Sequence, residues 1–221
     1  MTAIVVPAGI ELDDPRPIAA EAPYTYFLPH RLELAALRPG DMVQAVFRQT
    51  EGETTYAAER MWVEVERLFE GGVSGVLVNT PYHMPLIKLG DPVTLPLTHV
   101  ITVKFSEGLP FPDLSGLPSQ RSYWDRCFVD DCVLRGRSHV DYLYREEPDM
   151  TREGDEFPDS GWRVRGTGEA VEEDRASEAK PHYVALGAVL NADDRWLHLI
   201  DREEGCAFQW DTGAGCFVEL D

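Results

Sequence analysis

The stretch Val140-Asp141-Tyr142-Leu143-Tyr144-Arg145-Glu146-Glu147-Pro148, followed after ten residues by Asp159-Ser160-Gly161-Trp162-Arg163-Val164, decides how the chain is read. Two alternating apolar runs flank a loop rich in acid, Gly and Pro. Alternation of this kind predicts half-buried strands on either side of the loop. The compact Asp-Ser-Gly-Trp turn predicts an Asx-type hydrogen bond from Asp159 or Ser160, an unusual φ at Gly161 and a Trp162 anchored in the core. The same turn could instead line a binding surface. Arg145 and Glu146 could pair with Asp159 and pin the loop, or face a partner. Arg145 is the expected fork to a carboxylate.

Working outward, the second half opens with a strand at Cys127-Phe128-Val129. Asp130 is placed to cap a one-turn helix through Leu134, ended by Gly136. Gly168 to Ala179 reads as an acidic, mobile segment. Pro181, at a first helical position, predicts a helix through Leu190. Trp196 to Ile200 is a short apolar segment. Ala207-Phe208-Gln209-Trp210 and Cys216-Phe217-Val218 flank Asp211-Thr212-Gly213 as a terminal hairpin.

In the first half, residues 1 to 23 read as an irregular arm broken by Pro7, Pro15, Pro17 and Pro23. Tyr24 to Leu28 reads as a short strand and His30 to Leu37 as a short helix. Met42 to Arg48 predicts a strand with Val43, Ala45 and Phe47 on one face. Met61 to Glu66 and Val73 to Asn79 predict a hairpin turning at Gly71-Gly72. Further strands follow near Val93 to Leu97 and His99 to Phe105. Five Gly and Pro residues between Ser106 and Gln120 mark a linker. The expected fold is α+β: two small domains, each a mainly antiparallel sheet with one or two short helices. The boundaries are 1–107, a Pro/Gly linker at 108–120, and 121–221.

The 221 residues, 43% of them hydrophobic, can fill a real core. The formal net charge of −19 argues against direct binding to nucleic acid or an anionic membrane, which needs Lys and Arg against phosphate. From Arg121 onward there are 24 acids against 12 bases, so the second half carries most of the excess. That excess is either a solubilising surface or a match to a basic partner. No apolar run is long enough to span a bilayer. The first residues, Met1-Thr2-Ala3-Ile4-Val5-Val6, have no positive region before their apolar patch, so a secretory leader is not expected and a cytoplasmic location is.

Residues 121–221 resemble the immunity protein thirty-three family. The resemblance is carried by Cys127-Phe128-Val129-Asp130, Tyr144-Arg145-Glu146, Asp159-Ser160-Gly161-Trp162, Gly166 to Glu169, the Leu186 and Leu190 segment, and Gly205-Cys206-Ala207-Phe208. The first half resembles a YegJ-like domain of unknown function. There the carrying residues are Leu37-Arg38-Pro39-Gly40-Asp41, Glu59 to Val63, Gly75 to Asn79 and Gly90-Asp91-Pro92-Val93. Thr102-Val103-Lys104 departs from that pattern. The resemblance implies a non-enzymatic protein that binds and neutralises a toxin deployed between bacteria. A basic toxin would suit the acid excess. The binding residues so implied are Arg145, Glu146, Glu147, Asp149, Asp159, Ser160 and Trp162, with no cofactor and no metal. Two rival readings stand beside it: an enzyme with its site between the domains, and a small-molecule sensing or scaffold module.

Other candidate chemistry is weak. Asp211-Thr212-Gly213 looks like an aspartic-protease triplet, but that reaction needs two carboxylates sharing a proton. Cys127 and Cys132, and Cys206 and Cys216, are separated by four and nine residues, where paired zinc ligands usually have two to four. None of the six histidines sits in a nucleophile motif.

Overall fold

The structure is a computed structural model that describes residues 4–220. The leader reading of Met1-Thr2-Ala3 falls outside them. The chain divides into two compact units: residues through Glu21 with Tyr26–Ser119, and Ala22–Thr25 with Gln120 onward. Each is built on a six-stranded sheet, and the fold is α+β. No helix among the described residues is long and apolar enough to cross a membrane.

The first unit comprises β1 (Ile10–Leu12), α1 (Arg16–Glu21), α2 (Arg31–Ala35), β2 (Met42–Gln49), β3 (Ala58–Phe69), β4 (Gly72–Leu77), β5 (Pro92–Pro96) and β6 (Thr102–Lys104). The strands run β1-β2-β3-β4-β5, with β6 also on β2, and every pairing is antiparallel. Alternation does the sorting. Val43, Ala45 and Phe47 of β2, and Met61 and Val63 of β3, are fully buried, as period two requires. The β3–β4 hairpin turns at Glu70-Gly71, with Phe69 paired to Gly72. His30 caps α2: its ring accepts the Leu32 N–H while the Glu33 carboxylate accepts the His30 N–H.

Two expectations for this region are corrected. The arm is not wholly irregular, since it holds β1 and α1; Pro17 sits in the first turn of α1, where a missing N–H costs nothing. Tyr24 to Leu28 is no strand. The Tyr24 N–H goes to the Asn191 side chain at 2.9 Å, and the Tyr24 hydroxyl to Asp194 at 2.7 Å, so side chains rather than a neighbouring strand satisfy it.

The second unit comprises β7 (Arg126–Val129), α3 (Asp131–Leu134), β8 (Tyr142–Arg145), β9 (Asp159–Arg165), α4 (Gly168–Ala176), β10 (His182–Ala185), α5 (Leu186–Ala192), β11 (Ala207–Asp211) and β12 (Cys216–Glu219). The sheet order is β10-β7-β9-β8-β11-β12. β7 and β9 run parallel; the other pairs are antiparallel. One sheet face meets the helices. Cys127, Val129, Leu143, Trp162, Val164 and Phe208 pack there with Val133, Val189, Leu190 and Trp196. The alternate residues Phe128, Tyr142, Tyr144, Arg163 and Arg165 lie on the opposite face, outside that core.

Three local expectations fail here for physical reasons. Gly168–Ala176 is an ordered helix. Thr167 caps it, and its buried Asp174 accepts the Cys132 N–H at 2.9 Å and bonds Arg137. A helix fastened by an inward carboxylate has no apolar stripe to read. The expected helix from Pro181 starts only at Leu186, because His182–Ala185 pairs along β7 instead. Asp130 stands at the N-cap position of α3 but does not cap it. Its carboxylate is drawn across to Arg165 at 2.7 Å and to the Gly166 N–H at 3.1 Å.

Candidate functional site

The loop from Glu146 to Pro158 holds six acids and one base, Arg152. Left alone, such a run would repel itself. It is closed at its base by Arg163, the fifth residue of β9. The guanidinium gives Nη1 and Nη2 to the two oxygens of Asp159, both at 2.9 Å. Nη2 also reaches Asp149 at 3.0 Å, Nε reaches Glu146, and Nη1 reaches the Trp162 carbonyl at 3.2 Å. Arg163 and Asp159 are both buried, Glu146 is partly exposed and Asp149 is exposed. A buried cation is tolerable only when its donors are spent like this.

Asp159 does more than pair. Its carboxylate accepts the Gly161 N–H at 3.1 Å and the Asp149 and Met150 N–H groups at 3.3 Å. Its own N–H is held by the Thr151 hydroxyl. Burial alone would raise the Asp159 carboxyl, but the bonds from Arg163 and Gly161 outweigh burial and hold it below the ordinary carboxylate range. The same contacts push the Arg163 guanidinium up. Both groups therefore stay charged across the working pH range.

Gly161 is fixed by geometry. Its φ is +79°, and a Cβ there would lie 2.1 Å from the Glu146 carbonyl oxygen. That oxygen belongs to the residue whose N–H bonds the Gly161 carbonyl at 3.0 Å, so the two chains touch backbone to backbone. Ser160 gives its hydroxyl to the Arg126 carbonyl at 2.7 Å and accepts the Trp162 N–H at 3.3 Å. Trp162 is wholly buried, with its indole N–H on the Ile200 carbonyl and its ring 5.6 Å from that of Trp196.

The residues singled out in the sequence thus part into two sets. Asp159, Ser160 and Trp162 lie inside and shape the loop. Glu147 and Asp149 are exposed and Glu146 partly so, and these can meet a partner. Arg145 is not the carboxylate fork. Its Nε donates to the Ser160 carbonyl at 2.9 Å and its Nη1 to the Arg202 carbonyl at 2.6 Å, while its guanidinium lies 5.8 Å from the Trp162 ring centre. Arg163 takes that role, and sequence reasoning passed over it. The signal was there: alternation around Trp162 and Val164 turns Arg163 outward, four residues from Asp159 and beside a loop of unbalanced acid.

Residues 127–221 match the Immunity protein Imm33 domain. The Arg163 cluster, its acidic loop and the whole sheet except Arg126 lie in that Imm33 region. Residues 33–107 match a second family, described as an uncharacterized protein conserved in bacteria, DUF2314. No curated protein and no solved structure matches the chain. In the DUF2314 region, Asp41 is fully buried and its carboxylate accepts the Arg38 and Ser106 N–H groups, both at 2.8 Å. That is a turn-fixing role, like that of Asp159.

The other motifs singled out in the sequence have structural surroundings of their own. The Asp211 carboxylate accepts the Gly213 and Ala214 N–H groups at 2.7 and 3.0 Å, so Asp211-Thr212-Gly213 is a hairpin turn. Among the described residues no three His, Cys, Asp or Glu are gathered as metal ligands. Burial pushes the Cys127 thiol up to about 12 and the Cys132 thiol up to about 11, away from nucleophilic use.

Proposed function

We propose that this protein is a non-enzymatic immunity protein that neutralises a bacterial toxin by binding it in the cytoplasm. The match of residues 127–221 to an immunity domain carries this reading. The held acidic loop supports it further. Glu147 is exposed on a loop whose base is locked by Arg163, and Asp149 binds Arg163 through one oxygen only, so acidic charge is presented without much ordering cost on binding. A basic toxin would be steered to such a surface, with complementary charge speeding encounter and fixing orientation. Direct contact with nucleic acid or membrane plays no part in this reading. We assign the acting module to 121–221, the DUF2314-type module to 1–107 and the linker to 108–120.

The test is survival. The products of the genes on either side of this one are each expressed in a sensitive host, and any that kills it is expressed again with and without the full chain. Rescue of colony formation by several orders of magnitude is expected. Equal killing in both cultures would end the reading.

A further inference from the structure

We infer that the sheet face turned away from the helices is a docking surface for an acidic, apolar segment of a protein partner. The inference deepens the immunity reading and rests on its premise that the partner is a protein.

The strand register builds this face. Tyr183 pairs with Phe128, Phe128 with Arg163, and Arg163 with Tyr144, which sets four residues in one row across β10, β7, β9 and β8. The rings are in contact: Tyr183 and Phe128 lie 5.1 Å apart, and the Arg163 guanidinium sits 5.2 Å from the Phe128 centre. Tyr142 stacks on Tyr144 at 5.5 Å in the next row. Phe128, Tyr142, Tyr144 and Tyr183 all remain partly exposed. Two open cavities, of about 490 and 480 Å³, flank the row. Arg126, Arg152 and Tyr183 line the first; Tyr144, Arg165 and Lys180 line the second.

Charge then selects the occupant. Of the twelve Lys and Arg from Arg121 onward, eight have a carboxylate partner among the described residues. Arg145 spends its donors on carbonyls. The three left over, Arg126, Arg152 and Lys180, all line these two cavities. In a region with twice as many acids as bases, unpaired cations gathered on one aromatic face are complementary to carboxylates. Asp155 and Glu156 also line the first cavity, which limits the negative charge the face accepts: a net charge of −19 opposes the continuous charge of a phosphate backbone more than the few carboxylates of a short segment. Apolar side chains flanked by carboxylates satisfy both the rings and the cations.

The deciding experiment uses the full chain and a synthetic nine-residue peptide alternating Glu and Phe, with its Lys–Phe counterpart and a single-stranded DNA nonamer as controls. Backbone amide shifts are followed at low salt. The Glu–Phe peptide is expected to move Arg126, Phe128, Tyr144 and Lys180 saturably, and Arg126→Glu with Lys180→Glu to weaken it at least tenfold at unchanged Tm. Binding of the Lys–Phe peptide or of the DNA at this face, or no shift there with the Glu–Phe peptide, overturns the inference. Toxin survival assays are unaffected by that outcome, so the two readings fail separately.

Discussion

Arg163 and Asp159 meet through two parallel hydrogen bonds of 2.9 Å, and both side chains are buried. The strand β9 supplies both, four residues apart, where its register against β7 shifts between the Arg126–Asp159 and Phe128–Arg163 pairs and Gly161 takes a positive φ. The pair is the knot from which the Glu146–Pro158 loop hangs.

Breaking one partner should cost far more than the pair is worth. Arg163→Met leaves Asp159 buried and uncompensated, and a loss of about 3–5 kcal/mol is expected. Arg163→Met with Asp159→Asn should recover part of that. A double-mutant cycle by urea denaturation checks the sign of the coupling. Additive losses would show that the two residues do not act together.

Gly161→Ala should be among the most damaging small changes in the chain. It forces a Cβ onto the Glu146 carbonyl and a side chain into positive φ, so a loss of at least about 3 kcal/mol is expected. Gly154 provides the control. Its φ is +90°, yet a Cβ there meets nothing within 4 Å, so Gly154→Ala should cost only about 1 kcal/mol. Comparable Tm values for the two variants would refute the close approach.

Acid should loosen the loop. The Asp159 carboxyl lies below its ordinary value in the folded chain, so its contribution is present above about pH 4, the unfolded pKa, and is lost as pH falls through the lower folded value. Asp174 and Asp193 are depressed in the same direction, so the acid limb is shared. Asp159→Asn should therefore lose less stability than the wild type between pH 4 and pH 2. Urea midpoints across that range provide the measurement, and parallel curves would exclude Asp159 as a contributor.

The four thiols should separate by environment. Cys216 is exposed, while burial raises the Cys127 and Cys132 thiols to about 12 and 11. Iodoacetamide at pH 8 should modify Cys216 within minutes and leave Cys127 and Cys132 until the chain unfolds. Mass spectrometry of the labelled peptides reads the order. Early labelling of Cys127 would contradict the packing of β7.

Much of this architecture was legible from alternation. The β2 and β3 faces, the β11–β12 hairpin and the buried Trp162 all follow from period two and turn chemistry. What stayed hidden was structure held by polar contacts across the fold. Helix α4 rests on Asp174, and Asp130 serves Arg165 rather than its own helix. The strand at His182–Ala185 depends on the β7 edge, which no local pattern announces. At the site, the acids and the turn could be read, but the choice between Arg145 and Arg163 as their counter-charge needed the sheet register.

The pinned acidic loop is expected to meet a basic partner. Association of the purified toxin with the full chain, followed by stopped flow from 20 to 500 mM salt, tests it most directly. A rate that falls steeply with salt, and at least tenfold at low salt in Glu147→Lys with Glu153→Lys, two exposed acids outside the Arg163 cluster, is the result expected. A rate indifferent to both salt and these substitutions would contradict it.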